Sequence, residues 1–298
     1  MAADPSRPGE VDLFEANRPR LFGLAYRMLG EAAEAEDVVQ DAYLRWAGRD
    51  ADVRAPRAWL VKVVTNLCLT RLTSARSRRE LYVGPWLPEP VLTADGALGP
   101  LETVEQRESV SLGLLVLLER LTPPERAVFV LRAAFEYGHG QIADVLDIEE
   151  AHCRQLYRRA RQHLDDHRTR FEMDDGRQRE LVQRFFTAAL DGDLAGLERL
   201  LADDVVAWAD GGGTVSAARR PILGNHKVAR YLVGLASHPL AAGVEVAVAE
   251  VNAAPGLTIH DGGRLVAIIV PHTDGVRVSA VRTIANPDKL TFAVAQGA

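Results

Sequence analysis

Along the first 170 residues apolar positions recur every three or four places; near the end they alternate. After ten polar, loose residues, Leu13, Phe14, Leu21, Leu24, Ala25 and Met28 predict one face of a helix over Val11 to Met28, closed by Gly30. Val38, Val39, Ala42, Leu44 and Trp46 predict a second helix over Ala32 to Trp46. The loop "GRDADVRAP" follows, and Pro56 opens a long third helix reaching about Arg79. Gly84 to Pro100, rich in Pro and Gly, reads as a linker. A helix over Leu101 to Leu121 comes next. Thr122, Pro123 and Glu125 then have N-cap, first-turn and capping-box spacing for a helix that runs to Gly138. "GHGQIADVLDIEEAHCRQLYRRARQHL" reads as two helices split by a turn at Asp147–Ile148. After Arg177, helices over Gln178–Leu190 and Leu194–Leu201 precede the β-type runs "VVAWAD", "VEVAVAEV", "GLTIHDGGRLVAIIV" and "GVRVSAV". Asp261-Gly262-Gly263 and Asp274-Gly275 are turn signals between them. The pattern predicts two all-α domains followed by an α+β domain.

Composition adds little to this picture: 47% hydrophobic and 26% charged residues are ordinary for a globular chain, and 298 residues exceed what one core serves. The formal net charge of -6 does not advertise nucleic-acid binding, but its distribution does. Val53 to Arg79 carries Arg54, Arg57, Lys62, Arg71, Arg76, Arg78 and Arg79 and no acid. The run before it is acidic, with Glu31, Glu34, Glu36, Asp37 and Asp41, and a second basic cluster spans Arg154 to Arg170. Cys68 and Cys153 lie far apart on helical patterns, which predicts buried reduced thiols with no disulfide framework or zinc site. Neither a membrane-length apolar run nor a signal peptide is present, so the chain reads as cytoplasmic.

Three segments carry candidate chemistry. The second helix of the Gln141 to Leu164 segment has Cys153, Leu156, Tyr157 and Ala160 at core spacing and presents Glu149, Glu150, His152, Arg154, Gln155, Arg158, Arg159 and Arg161 on its other face. A helix-turn-helix sets such a face into the DNA major groove, although a solvated cationic face would show the same pattern. The third helix is purely basic and bears Trp59, Lys62, Asn66, Thr70 and Arg71, which suits a strand opened out of duplex. Trp59 reads equally well as core. On the acidic helix Asp37 and Asp41 share a face at i, i+4, a mildly unfavourable pairing that calls for solvent or a cationic partner. The connector "YVGPWLPEP" raises its own question: a plain spacer needs no Tyr82, Trp86 or Leu87.

Together, "LFGLAYRMLGEAAEAEDVVQDAYLRW" with "PRAWLVKVVTNLCLTRLTS", and "LERLTPPERAVFVLRAAFEYGHGQIADVLDIEEAHCRQLYRRARQHL", resemble regions two and four of extracytoplasmic-function sigma factors of RNA polymerase. "YVGPWLPEP", "DGGG" at Asp210–Gly213 and "NPDKL" at Asn286–Leu290 resemble the group fused to a C-terminal SnoaL-like domain. The resemblance implies a multidomain fold: a region two helical bundle (1–81), a linker (82–104), a region four helix-turn-helix (105–170) and a cone-shaped SnoaL-like α+β domain (171–298). It implies promoter-directed transcription initiation rather than catalysis, without cofactor or metal. Asp37, Gln40 and Asp41 would contact the clamp helices of core RNA polymerase. Trp59, Lys62, Asn66 and Arg71 would hold the minus-ten element, and Glu149, His152, Arg154, Gln155, Arg158, Arg159 and Arg161 the minus-thirty-five element.

In this reading Tyr82, Trp86, Leu87 and Pro88 dock on the C-terminal domain near Asp210, Gly211, Gly212, Gly213, Asn286, Pro287, Asp288, Lys289 and Leu290, as a regulatory interdomain contact. The prolines lower the entropy lost on docking. One departure concerns Thr214, where the group often has a lysine; Arg219 or Arg220 would have to substitute. SnoaL-like cones can enclose a pocket, so an unknown small-molecule ligand is a further expectation. The alternative function is a DNA-targeted SnoaL-like small-molecule-binding or isomerase/cyclase protein. It would draw on Asp210, His226, His260 and His272, but a turn-capping Asp210 and structural histidines are the plainer reading.

Overall fold

The computed structural model describes residues 8–49, 53–94, 96, 98, 101, 103–165, 175–238 and 242–298; the side chains of residues 8, 9, 74–78, 80, 104, 105, 165 and 175 lie outside that description. The chain divides into two compact units, one of residues 1–80 and 93–167 and one of residues 81–92 and 168–298. The expected boundary at 170/171 and the side chains of Arg76 and Arg78 lie outside the described residues.

In the first unit, α1 (Pro8–Leu29), α2 (Ala32–Ala47) and α3 (Pro56–Glu80) form a bundle. Phe14, Leu21, Leu24, Met28, Val38, Val39, Leu60, Val64 and Cys68 are buried in it, as their spacing requires. The first helix begins earlier than expected, at Pro8, a residue suited to a first helical turn. The expected helix over Leu101–Leu121 is two pieces, α4 (Val104–Glu108) and α5 (Leu112–Leu118). Local hydroxyl bonds explain the break: Ser109 Oγ donates to the Gln106 carbonyl, and Ser111 Oγ accepts from the Leu114 N–H to cap α5. The helix α6 (Pro123–Ala133) is capped through Glu125, whose carboxylate accepts from the Thr122 N–H at 3.0 Å. It stops short of Gly138, and Glu136 lies at φ 61. In α7 (His139–Leu146) and α8 (Glu150–Asp165) the chain turns at Asp147, which takes the left-handed conformation at φ 54, ψ 46.

The bundle and the second helical group pack together, with α3 against α6 and α7 and α1 against α6. Polar bonds join them. Lys62 Nζ donates to the Asp144 carbonyl (2.9 Å) and to Asp147 Oδ1 (2.6 Å). Arg126, buried at 3% exposure, donates to the Met28 carbonyl and to Glu119 (both 2.8 Å), and Arg79 pairs with Glu31 and Glu119.

In the second unit α9 (Asp175–Leu190) and α10 (Leu194–Leu200) precede β1 (Leu201–Asp210) and β2 (Ile222–Leu223). Then come α11 (Asn225–Ala236), β3 (Glu245–Val251), β4 (Ala254–Asp261), β5 (Arg264–Thr273), β6 (Val278–Ile284) and α12 (Pro287–Ala295). Both α11 and α12 go beyond the sequence expectation. The described strands form one sheet in the order β2-β1-β6-β5-β4-β3, antiparallel except where β1 pairs β6 in parallel. Alternation along β1 sends Val205 and Ala207 into a core with Val182, Phe185, Phe186, Leu197, Val228 and Leu232 from α9, α10 and α11. The opposite face carries Asp210, which pairs with Ile284, which in turn pairs with Ile268. The helix α12 packs on β5.

Candidate functional site

The residues expected on DNA form two surfaces of the first unit. On α8, Cys153, Leu156, Ala160 and Leu164 are buried; His152, Arg154, Gln155, Arg158 and Arg159 are exposed, as is Glu149 just before the helix, and Arg161 is half-buried. The buried stripe fixes which residues face out. Tyr157 stacks on Phe129 at 6.4 Å between ring centres, anchoring α8 to α6. Arg154 is paired with Glu150 one turn earlier, at 2.5 Å. On α3, Asn66 is exposed, while Trp59 is half-buried beside Trp46 at 5.7 Å. Lys62 is engaged at the α7–α8 turn, as described above. Arg71 turns toward α2: it bonds Glu34 and Asp41, and Asp37 lies 3.7 Å away. Asp37 and Gln40 are exposed and Asp41 partly so.

The linker residues Leu81–Leu92 belong to the second unit, and their backbone is tied down at Leu87, Val91 and Leu92. Asp210, 1% exposed, is the hub. Its Oδ1 accepts from the Tyr82 hydroxyl (2.5 Å) and the Gly212 N–H (3.1 Å); its Oδ2 accepts from the Leu87 N–H (2.8 Å) and Lys289 Nζ (2.7 Å). Lys289 is also buried, donates to the Leu87 carbonyl (2.5 Å), and stands 4.7 Å from the ring centre of Tyr82 and 4.4 Å from that of Trp86. A cation enclosed by a carboxylate, a carbonyl and two aromatic faces is well compensated for its lost water. Asn286 caps α12 through the Asp288 N–H and donates its Nδ2 to the Tyr82 hydroxyl at 2.9 Å. Buried Asp210 and the phenol's own desolvation push the Tyr82 hydroxyl up from the usual phenol range, with burial the larger cause.

The glycines have a steric reason. At Gly212 (φ 60) a Cβ would meet the Asn286 amide at 2.4 Å, and at Gly213 (φ 76) it would meet Val83 at 3.1 Å. Leu87, Pro88 and Leu290 are buried, whereas Leu81 and Val83 are exposed.

Two holding residues are absent from the sequence reading. Asn252 Oδ1 accepts from the Val91 N–H (3.0 Å) while its own N–H donates to the Val91 carbonyl (2.9 Å), and Leu92 forms a bridge with Val251. Gln296 brackets Leu92: its Oε1 accepts the N–H and its Nε2 donates to the carbonyl, both at 2.9 Å. No local signal marks a glutamine at a helix end for such a role; Asn252, at a hairpin turn with φ 53, has a turn signal only. The cation on Asp210 is Lys289. Thr214 closes its own turn onto the Gly211 carbonyl, and Arg219 and Arg220 are exposed, with Arg219 lining a cleft of about 270 Å³ beside Val83 and Gly84.

Two of the groups named for the acid–base alternative are committed to other partners. The carboxylate of Asp210 is occupied by four donors, and His226 pairs with Glu198 on the surface. Among the described residues no group of three or more His, Cys, Asp or Glu side chains could hold a metal ion, and no helix is long and apolar enough to cross a membrane. Both cysteines are buried and free.

Comparison with known proteins identifies the arrangement. Residues 13–78 match Sigma-70 region 2 and residues 111–164 match Sigma-70, region 4. ECF RNA polymerase sigma factor SigJ of Mycobacterium tuberculosis is 40% identical over 292 residues, spanning 95% of this chain and 93% of the relative. The crystal structure of that extracytoplasmic function sigma factor is similar with a TM-score of 0.76 at 38% identity, over 95% of this chain and 98% of that one. Probable ECF RNA polymerase sigma factor SigI of the same species is 34% identical over 200 residues, 66% of this chain and 68% of the relative. The C-terminal domain combines helices with one six-stranded sheet, and the relatives matched over most of the chain are sigma factors of RNA polymerase. Two helical sigma domains and a fused α+β domain, matched over nearly the full length, make this chain a member of the ECF RNA polymerase sigma factors.

Proposed function

We propose that this sigma factor is held in a resting state by its own C-terminal domain, which clamps the linker between regions two and four. The observation that carries the reading is the set of bonds that fix Leu87, Val91 and Leu92 to Asp210, Lys289, Asn252 and Gln296. Asp37, Gln40 and Asp41 contact the clamp helices of core polymerase. The α3 face of Trp59, Lys62 and Asn66 holds the minus-ten element, and Arg154, Arg158 and Arg159 of α8 lead the contacts to the minus-thirty-five element. The protein acts in the cytoplasm, where polymerase and promoter are. An unidentified small molecule bound by the C-terminal domain, or polymerase itself, releases the linker.

Size supports release. A compact unit of roughly 150 residues has a radius of gyration of about 15 Å. Elements about 25 base pairs apart are separated by roughly 85 Å of B-form DNA at ~3.4 Å per pair. Regions two and four packed on each other, with Lys62 held at the α7–α8 turn, do not span that distance. In this reading they part, and a linker pinned at Leu87, Val91 and Leu92 opposes parting. Two weak grips on one tether then gain effective concentration once polymerase sets their spacing.

The test is promoter-specific run-off initiation by core polymerase with the full chain, a truncation near Phe171 and a truncation near Asn286. The reading expects initiation by the full chain, altered when the linker's holders are removed. If no form supports initiation at any cognate promoter, it fails.

A further inference from the structure

The acidic face of α2 holds three carboxylates, Glu34, Asp37 and Asp41, within two turns, an arrangement that repels itself unless a cation answers it. The answer comes from inside the chain. Arg71 on α3 reaches across with Nη1 donating to the Glu34 carbonyl (2.9 Å) and Oε2 (3.0 Å), and Nη2 donating to Asp41 Oδ2 (2.9 Å). Asp37 Oδ2 is 3.7 Å from Nη1. The Arg71 side chain is 23% exposed, against 67% for Asp37 and 46% for Asp41. A guanidinium holds its N–H donors in a fixed planar fork, so donors bonded to one helix are not offered elsewhere. Here both Nη1 and Nη2 are bonded to α2, while Asp37 and Asp41 still face solvent.

We propose that Arg71 is a positioning residue for the polymerase-contact face of α2 and not a DNA ligand. Three acids and one arginine leave the face net negative, suited to a basic surface of the polymerase. The fork holds Asp41 in one orientation and draws Asp37 toward it, so these side chains lose less freedom when the partner arrives. Their exposed oxygens are the ones offered. This rests on the reading that α2 contacts polymerase, and goes beyond it by removing Arg71 from the minus-ten contacts.

The experiment uses the full chain, with affinity for core polymerase measured by fluorescence anisotropy and promoter binding by the resulting holoenzyme measured across a salt series. Arg71→Ala should weaken polymerase binding about five- to tenfold and leave the slope of log affinity for DNA against log salt unchanged. Arg71→Lys keeps the charge and the stem but not the fork, and should lose about two- to threefold, so the proposal does not depend on the alanine variant folding well. Combined with Asp41→Asn, Arg71→Ala should add little further loss; a merely structural role would give additive losses. Intact polymerase affinity with a salt slope shallower by about 0.7 to 0.9 would make Arg71 a phosphate contact and overturn the proposal. If instead Asp37→Asn and Asp41→Asn, with Arg71 in place, leave polymerase binding untouched, the parent reading of α2 fails.

Discussion

Lys289 and Asp210 form a buried ion pair, Nζ to Oδ2 at 2.7 Å, and both also bond the backbone of Leu87. One link thereby joins α12, the end of β1 and the linker. Removing one partner strands the other charge in a dry site, so Asp210→Ala should cost about 3–5 kcal/mol of stability. The double variant Asp210→Asn with Lys289→Met should recover part of it, because it buries no unpaired charge. Denaturant unfolding of the full chain measures both.

Trp86→Ala removes an aromatic wall around Lys289 without touching the ion pair. The loss of apolar contact and cation–π attraction is about 1–3 kcal/mol. Cleavage of the 81–92 segment under limited proteolysis should therefore speed up at least fivefold, since cleavage follows the open population when opening is fast.

The phenol of Tyr82 supplies a pH test. Burial, then its bond to Asp210, raises its proton affinity in the folded chain above that in the unfolded one. The bound proton therefore contributes stability that is fully present below about pH 10, the unfolded phenol value, and lost as pH rises beyond it. Linker docking should weaken above about pH 10, and Tyr82→Phe should reduce that alkaline weakening, the remainder coming from the Lys289 ammonium. Proteolytic accessibility of the linker across the pH series checks it.

The polar bonds between the two helical groups differ in weight. Lys62–Asp147 is exposed on both sides, so Asp147→Asn should change stability by under about 1 kcal/mol. Glu119 answers both Arg79 and buried Arg126, so Glu119→Gln should cost about 2–4 kcal/mol. Parallel thermal melts decide between equal and unequal effects.

What was legible in the sequence was local. Glu125 three residues after Thr122, Asp147 at the helix-turn-helix bend and the Cys153, Leu156, Ala160 stripe all act within a few residues, and each behaves as its spacing requires. The Asn286-Pro287-Asp288 start of α12 is equally local, an N-cap, a first-turn proline and a first-turn acid. The region two and region four families were legible from combined motifs, as the matches over residues 13–78 and 111–164 bear out. Long-range partners were not. Arg71 meets acids 30 to 37 positions away, and Gln296 meets Leu92 across 204. Nothing in periodicity or charge count encodes such pairs, since only the folded chain brings them together. The like-charged pair on α2 called for solvent or a cation, and nothing in the sequence decided between them.

The most direct test of the clamp is the equilibrium affinity of the full chain for core polymerase, compared between the unaltered protein and Trp86→Ala. Release of the linker should tighten binding at least fivefold, with a matching rise in promoter-specific initiation. Equal affinity and equal initiation, with the linker demonstrably freed to protease, would contradict the account.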